Sequence, residues 1–70
     1  MNNLKTGLVS LPCNGSIVVI NAYNINAIVG VDSRQSVLWM INGDRFTVDY
    51  AAPVAAVAID EQLAPSDNTS

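Results

Sequence analysis

Two Asn-Gly dipeptides, Asn14-Gly15 and Asn42-Gly43, each stand between runs of β-branched and aromatic residues. That pattern constrains this chain more than any other feature in it. A two-residue type I′ turn needs positive φ at both central positions. Asn-Gly adopts that geometry at little steric cost, and the turn's twist matches that of the strands it joins. The sequence therefore predicts two β-hairpins, over residues 8–20 and 36–50. In the first, Leu11 faces Val18 and Val9 faces Ile20 on one side, while Pro12 faces Ile17 and Ser10 faces Val19 on the other. Pro12 cannot donate to a ladder, so the first strand is expected at a sheet edge.

The second hairpin, SVLWMINGDRFTVDY, carries apolar residues on both faces of its first strand. A two-residue turn at Asn42-Gly43 sets Ile41 opposite Asp44, Met40 opposite Arg45, Trp39 opposite Phe46, Leu38 opposite Thr47 and Val37 opposite Val48. The Trp39–Phe46 and Val37–Val48 pairs then form a seam, worth about 0.2–1 kcal/mol per pair beyond alanine. This seam is expected to be the core. Leu38 and Met40 fall on the other face with Arg45, Thr47 and Asp49. A small sheet has one core, so that face is covered either by the chain's own end or by another molecule. Leu38, Met40, Arg45 and Thr47 are accordingly candidate residues of a partner or subunit interface.

Between the hairpins, NAYNIN (residues 21–26) breaks the β pattern. Asn side chains bond their own backbone and favour turns and caps, so one helical turn is expected there. AIVGV (27–31) reads as a third strand, with Gly30 marking a bulge or a close backbone approach. DSRQ (32–35) makes a turn. After Tyr50, AAPVAAVAI admits two readings. One is a turn over 51–54 followed by a short strand over 55–59. The other is a helical turn continued through 58, which Pro53 in a first turn and the alanines favour. The expected architecture is all-β: a small antiparallel sheet or an SH3/Sm-like barrel, built from two Asn-Gly hairpins, a third strand and a short C-terminal turn and strand. Residues 1–59 form its single domain. Residues 60–70, polar and aperiodic, are expected to be a disordered acidic tail.

Half of the 70 residues are hydrophobic and 13% are charged, a composition that argues against disorder for most of the chain. It also offers more apolar side chain than one small core hides, which points to self-association or a protein partner. The net charge of −3 comes entirely from Asp60, Glu61 and Asp67, because Lys5, Arg34 and Arg45 balance Asp32, Asp44 and Asp49. A neutral folded part has no basic stripe for phosphates, so nucleic acid is not an expected partner. The apolar runs VLWMI and VAAVAI fall far short of the ~20 residues of a membrane helix, so no membrane association is expected. The single cysteine, Cys13, forms no intrachain disulfide, and a reducing, cytoplasmic setting is expected.

Chemistry-bearing constellations are sparse. Without histidine, Cys13 has no base to activate it. Asp32 and Asp44 lie in turns, where Asp serves the backbone, and Asp49 lies on a strand. The ligand spacings of zinc or calcium sites are absent, as is a phosphate-cradling glycine loop. No catalytic residue, metal or cofactor is expected. Tyr23, Asn24 and Asn26 with Arg34 are candidates for a small-ligand pocket.

The order of elements resembles that of the small flagellar proteins of the FlbD/SwrD type. The matching residues are Leu11, Asn14-Gly15, Ile20-Asn21, Ile25, Ile28, Ser36-Val37, Asn42-Gly43, Val48 and Val57, within residues 8–59. The chain departs from that pattern after the last strand, where AAPVAAVA replaces charged residues. The resemblance implies a small β fold and a flagellar accessory role, and it implies no catalytic residues. Taken together, the expectation is a non-enzymatic, homo-oligomeric interaction module, a bacterial or phage accessory protein that regulates or inhibits a larger protein. The alternatives are a protein that sequesters a small, nucleotide-like molecule in pockets between subunits, and the flagellar accessory protein.

Overall fold

The computed structural model of the protein describes residues 7–64. Five strands and one helix follow in order: β1 (Leu8–Cys13), β2 (Ser16–Asn21), a 3₁₀ turn (Ala22–Asn24), β3 (Ile25–Gly30), β4 (Ser36–Met40), β5 (Arg45–Val48) and α1 (Ala52–Leu63). β1 and β2 form one antiparallel sheet, and β3, β4 and β5 form a second in that order. The sheets do not close into a barrel. They meet where Asp49 N–H donates to the Pro12 carbonyl at 2.8 Å, which sets β1 beside the end of β5.

The first hairpin has the register that its turn predicts, with Leu11 opposite Val18 and Val9 opposite Ile20. Asn14 and Gly15 take φ of 52° and 80°, the two positive values of a type I′ turn. Pro12 lies in a position that does not bond to β2, so its missing N–H breaks no ladder.

The second hairpin differs. β4 and β5 pair as Trp39–Arg45, Leu38–Phe46, Val37–Thr47 and Ser36–Val48, one residue away from the expected register. The cause is the loop. Met40 N–H donates to the Asp44 carbonyl and Gly43 N–H donates to the Met40 carbonyl, which closes a three-residue loop of Ile41, Asn42 and Gly43. Gly43 alone takes positive φ, 95°, as the glycine of a bulge following a type I turn. The Asn42 side chain accepts from Asp44 N–H at 3.0 Å and so holds the looser turn. Because side chains alternate along a strand, the extra loop residue exchanges the expected faces of β4.

Leu38 and Met40 are therefore core residues, with Leu38 fully buried, and they are not interface residues as expected. Trp39 is 38% exposed and Ile41 66% exposed. The core gathers Val9, Leu11 and Ile20 from the first sheet, Leu38, Met40 and Val48 from the second, and Ala55 and Ile59 from α1, with Phe46 and Ile28 packed against it. The bulge expected at Gly30 falls instead at Asn26, where the β3–β4 register shifts between Ile25 and Ala27.

The chain's own end covers the inner face. Residues 52–63 are helical, which decides for the helical reading over the expected strand at 55–59 and carries the helix into the start of the expected tail; residues 65–70 of that tail lie outside the described residues. Ala55, Ile59 and Leu63, four residues apart, place one helix face on the core. Alanines favour the helix, and Pro53 lies in its first turn, where no intrahelical donor is lost. Pro65 follows in the sequence, and Ala64 is extended with ψ of 142°, as the residue before a proline prefers. Twelve residues make a marginal helix on their own, so tertiary contacts hold this one. The clearest is Gln62, whose Oε1 accepts from Ser10 N–H and whose Nε2 donates to the Ser10 carbonyl, both at 2.8 Å.

Two consequences can be measured by chemical denaturation. Leu38→Ala is expected to lower stability by about 2–5 kcal/mol, whereas Ile41→Ala should change it by less than about 0.5 kcal/mol. The opposite ranking would restore the two-residue turn. Gln62→Ala is expected to cost about 0.5–1.5 kcal/mol, the net worth of exposed hydrogen bonds whose backbone partners at Ser10 are returned to water.

Candidate functional site

The exchange of faces moves the most prominent aromatic residue to the outside. On the outer face of β3–β4–β5, Ala27, Trp39 and Arg45 form one cross-strand row, and Val29, Val37 and Thr47 form the next. The Arg45 guanidinium carbon stands 5.0 Å from the centroid of the Trp39 ring. A cation over an exposed indole is worth about 0.5–1 kcal/mol. Val29 is about half exposed beside it, and Arg45 is the single charged residue of these two rows. Of the four expected interface residues, Arg45 and Thr47 thus share an accessible face, while Leu38 and Met40 lie on the opposite, buried one.

The expected ligand-pocket residues separate into two places. Tyr23 and Asn24 belong to the 3₁₀ turn, and Asn26 is the bulge residue of β3. Ile41 N–H donates to the Asn24 carbonyl at 2.8 Å, so this cluster lies at the end of the sheet that carries the β4–β5 loop. Arg34 lies in the β3–β4 turn, beyond Gly30 and Ser36, at the other end of the same strands. One chain does not bring Arg34 to Tyr23. Gly7 is the partner of Tyr23 that sequence reasoning missed. It takes φ of 78°, and a Cβ there would lie 2.6 Å from the tyrosine ring. Only its glycine identity hinted at this.

Arg34 borders an open groove of about 560 Å³, lined also by Asp32, Gln35, Asp49, Tyr50 and Val54. Its carboxylates are engaged in holding the backbone. Asp32 Oδ1 accepts from the N–H groups of Arg34 at 2.7 Å and Gln35 at 2.9 Å, closing the turn. Asp49 Oδ2 accepts from Gly15 N–H at 3.1 Å, and its Oδ1 accepts from Gln35 Nε2 at 3.2 Å. The Gly15 bond, followed by that from Gln35, holds the Asp49 carboxyl below the usual aspartate value. Asp49 thereby ties the tip of the first hairpin to the β3–β4 turn. Cys13 is half-buried at the end of β1, opposite Ser16. Among the described residues, no group of three His, Cys, Asp or Glu side chains could hold a metal ion. Nor is any helix among them long and apolar enough to cross a membrane.

Comparison with protein-family models, curated proteins and solved structures yields no match for this chain.

The lowered Asp49 value gives a pH signature. A carboxyl whose native value is depressed contributes stability that is complete above its ordinary value of 3.8 and is lost as the pH falls through the native value. Thermal melts of wild type and Asp49→Asn should therefore differ most near neutral pH. The two curves should converge in acid below that ordinary value. A gap that stays constant with pH would assign the effect of the substitution to shape rather than charge.

Proposed function

We propose that this chain is a non-enzymatic, self-associating protein-interaction module that regulates or inhibits a larger protein partner. The partner docks on the outer face of β3–β4–β5. The observation that supports this reading is Trp39, 38% exposed on the outer sheet face with Arg45 over its ring. Tryptophan and arginine are the residue types that dominate binding energy at interfaces. The chemistry of the face defines its partner: an apolar surface that packs on Trp39 and Val29, with a carboxylate placed to meet Arg45. Engaged as they are in backbone contacts, the carboxylates of Asp32 and Asp49 favour a binding role over acid–base work. A cytoplasmic setting belongs to this reading, because the lone Cys13 needs no oxidising compartment. A flagellar accessory role, implied by the resemblance over residues 8–59, is a narrower form of the same proposal.

Trp39 is the single tryptophan, so its fluorescence reports on this face without a label. A partner isolated on the immobilised wild-type protein should shift Trp39 emission to the blue when titrated back. Trp39→Ala or Arg45→Glu should weaken its capture by roughly 30-fold or more, the effect of losing about 2 kcal/mol at an anchor residue. Both variants should remain folded, with stability lowered by about 0.5–1 kcal/mol, the worth of the Trp39–Arg45 contact that either change removes. Unchanged capture by Trp39→Ala would move the docking surface elsewhere on the molecule.

A further inference from the structure

Strand edges present backbone donors and acceptors that must be paired, covered or left to water. In the β1–β2 hairpin the pairs that exchange hydrogen bonds alternate with pairs that do not. The two-residue turn makes Cys13–Ser16 a bonded pair, so Leu11–Val18 and Val9–Ile20 are bonded as well. The backbone groups of Ser10 and Pro12 then point away from β2, and those of Ile17 and Val19 point away from β1. On the β1 side these outward groups are met. The Pro12 carbonyl accepts from Asp49 N–H, and Ser10 is bridged at both its N–H and its carbonyl by the Gln62 carboxamide. On the β2 side, among the described residues, β2 pairs with β1 alone.

The second sheet has two edge strands: β3 carries a bulge at Asn26, a device that interrupts regular pairing, and β5 is four residues long, carries Arg45 and meets β1 at its end. β2 has no such protection. Its sequence, SIVVIN, contains no charge and no proline, and its register with β1 is unbroken. Ile17 and Val19, whose backbone points outward, are also 63% and 56% exposed, and Leu8 lies exposed on the same face.

We propose that β2 pairs antiparallel with β2 of a second copy of this chain across a two-fold axis, making a continuous four-stranded sheet. An uncharged strand can oppose itself without setting like charges side by side, a juxtaposition that destabilises charged edges. The adjoining face of Leu8, Ile17 and Val19, with Pro12 and the small hydroxyl of Ser10 among them, carries no charge to select a foreign sequence, and the same face of a second copy complements it. A two-fold contact of this kind is self-complementary and closes at two subunits. The proposal rests on the reading of the chain as a self-associating module, and it uses a surface separate from Trp39.

Sedimentation equilibrium and amide exchange on the full chain test it. Wild type is expected at twice the chain mass of 7.4 kDa. Val19→Lys should raise the dimer dissociation constant by roughly tenfold or more, while Trp39→Ala should leave it unchanged. In wild type, the Ile17 and Val19 amides should be protected at high concentration and exchange quickly on dilution, with Val18 and Ile20 protected throughout. This exchange measurement decides the matter if Val19→Lys fails to fold. A dimer split by Trp39→Ala and not by Val19→Lys would overturn the β2 edge while sparing the self-associating module. A wild-type monomer at every concentration would overturn both. Protection of Ile17 and Val19 that survives dilution would mean that the edge is covered from within the chain, and would overturn the pairing.

Discussion

The identity of the core depends on a single loop. With Ile41, Asn42 and Gly43 in the β4–β5 turn, Leu38 and Met40 face inward and Trp39 faces water. A two-residue turn would reverse every one of these assignments, since strand side chains alternate with a period of two. The inward set is what α1 packs against, so the position of the helix also follows from the loop. Burying Leu38 stabilises the fold by several kcal/mol on the scale of core leucines, and the tighter turn would bury Trp39 and Val37 in its place. In the wider loop Asn42 accepts the Asp44 N–H.

A small domain without disulfides needs other cross-links, and here side chains bonded to backbone supply them. Asp49 reaches the first hairpin through Gly15, and Gln62 reaches it through Ser10. A backbone bond from Ile41 to Asn24 fastens the other end of the three-stranded sheet. Each contact joins segments far apart in the chain. The Ser36 hydroxyl is the exception to this economy of partners: it is fully buried and has none. An unpaired buried hydroxyl costs about 1–3 kcal/mol. Ser36 lies between Gly30 and Val48 in the sheet, where its small volume suits the approach of α1.

Much of the β organisation was legible in the sequence. Asn14-Gly15 gave the turn, the register and both faces of the first hairpin, because both of its residues adopt the positive φ that the dipeptide favours. Asn42-Gly43 marked a hairpin equally well but not its loop length, since only Gly43 needed positive φ. The candidate interface inherited that error at Leu38 and Met40, while Arg45 and Thr47 kept an accessible face. The helix was legible only as one of two readings of residues 51–59, for a different reason. Val54 and Val57 are exposed and blur its apolar stripe. Asp60 and Glu61 near its C-terminus oppose the helix dipole, and the signal in Gln62 exists only once Ser10 is beside it. Arg34 and Tyr23 could not be placed relative to each other until the order of β3 and β4 was known.

The Gln62 carboxamide offers one donor and one acceptor in the spacing of a peptide group, so it occupies the β1 edge as a single residue of a neighbouring strand would. Its consequence is a limit on growth. Within the β1–β2 sheet this leaves β2 as the edge with unmet backbone groups, so under the proposed pairing that sheet would extend on one side only. Loss of the last helical turn would return the Ser10 N–H and carbonyl to water, while Pro12, which has no N–H and is bonded to Asp49, would still interrupt that edge. The last turn of α1 thus makes the two edges of the first hairpin unequal, one occupied and one open.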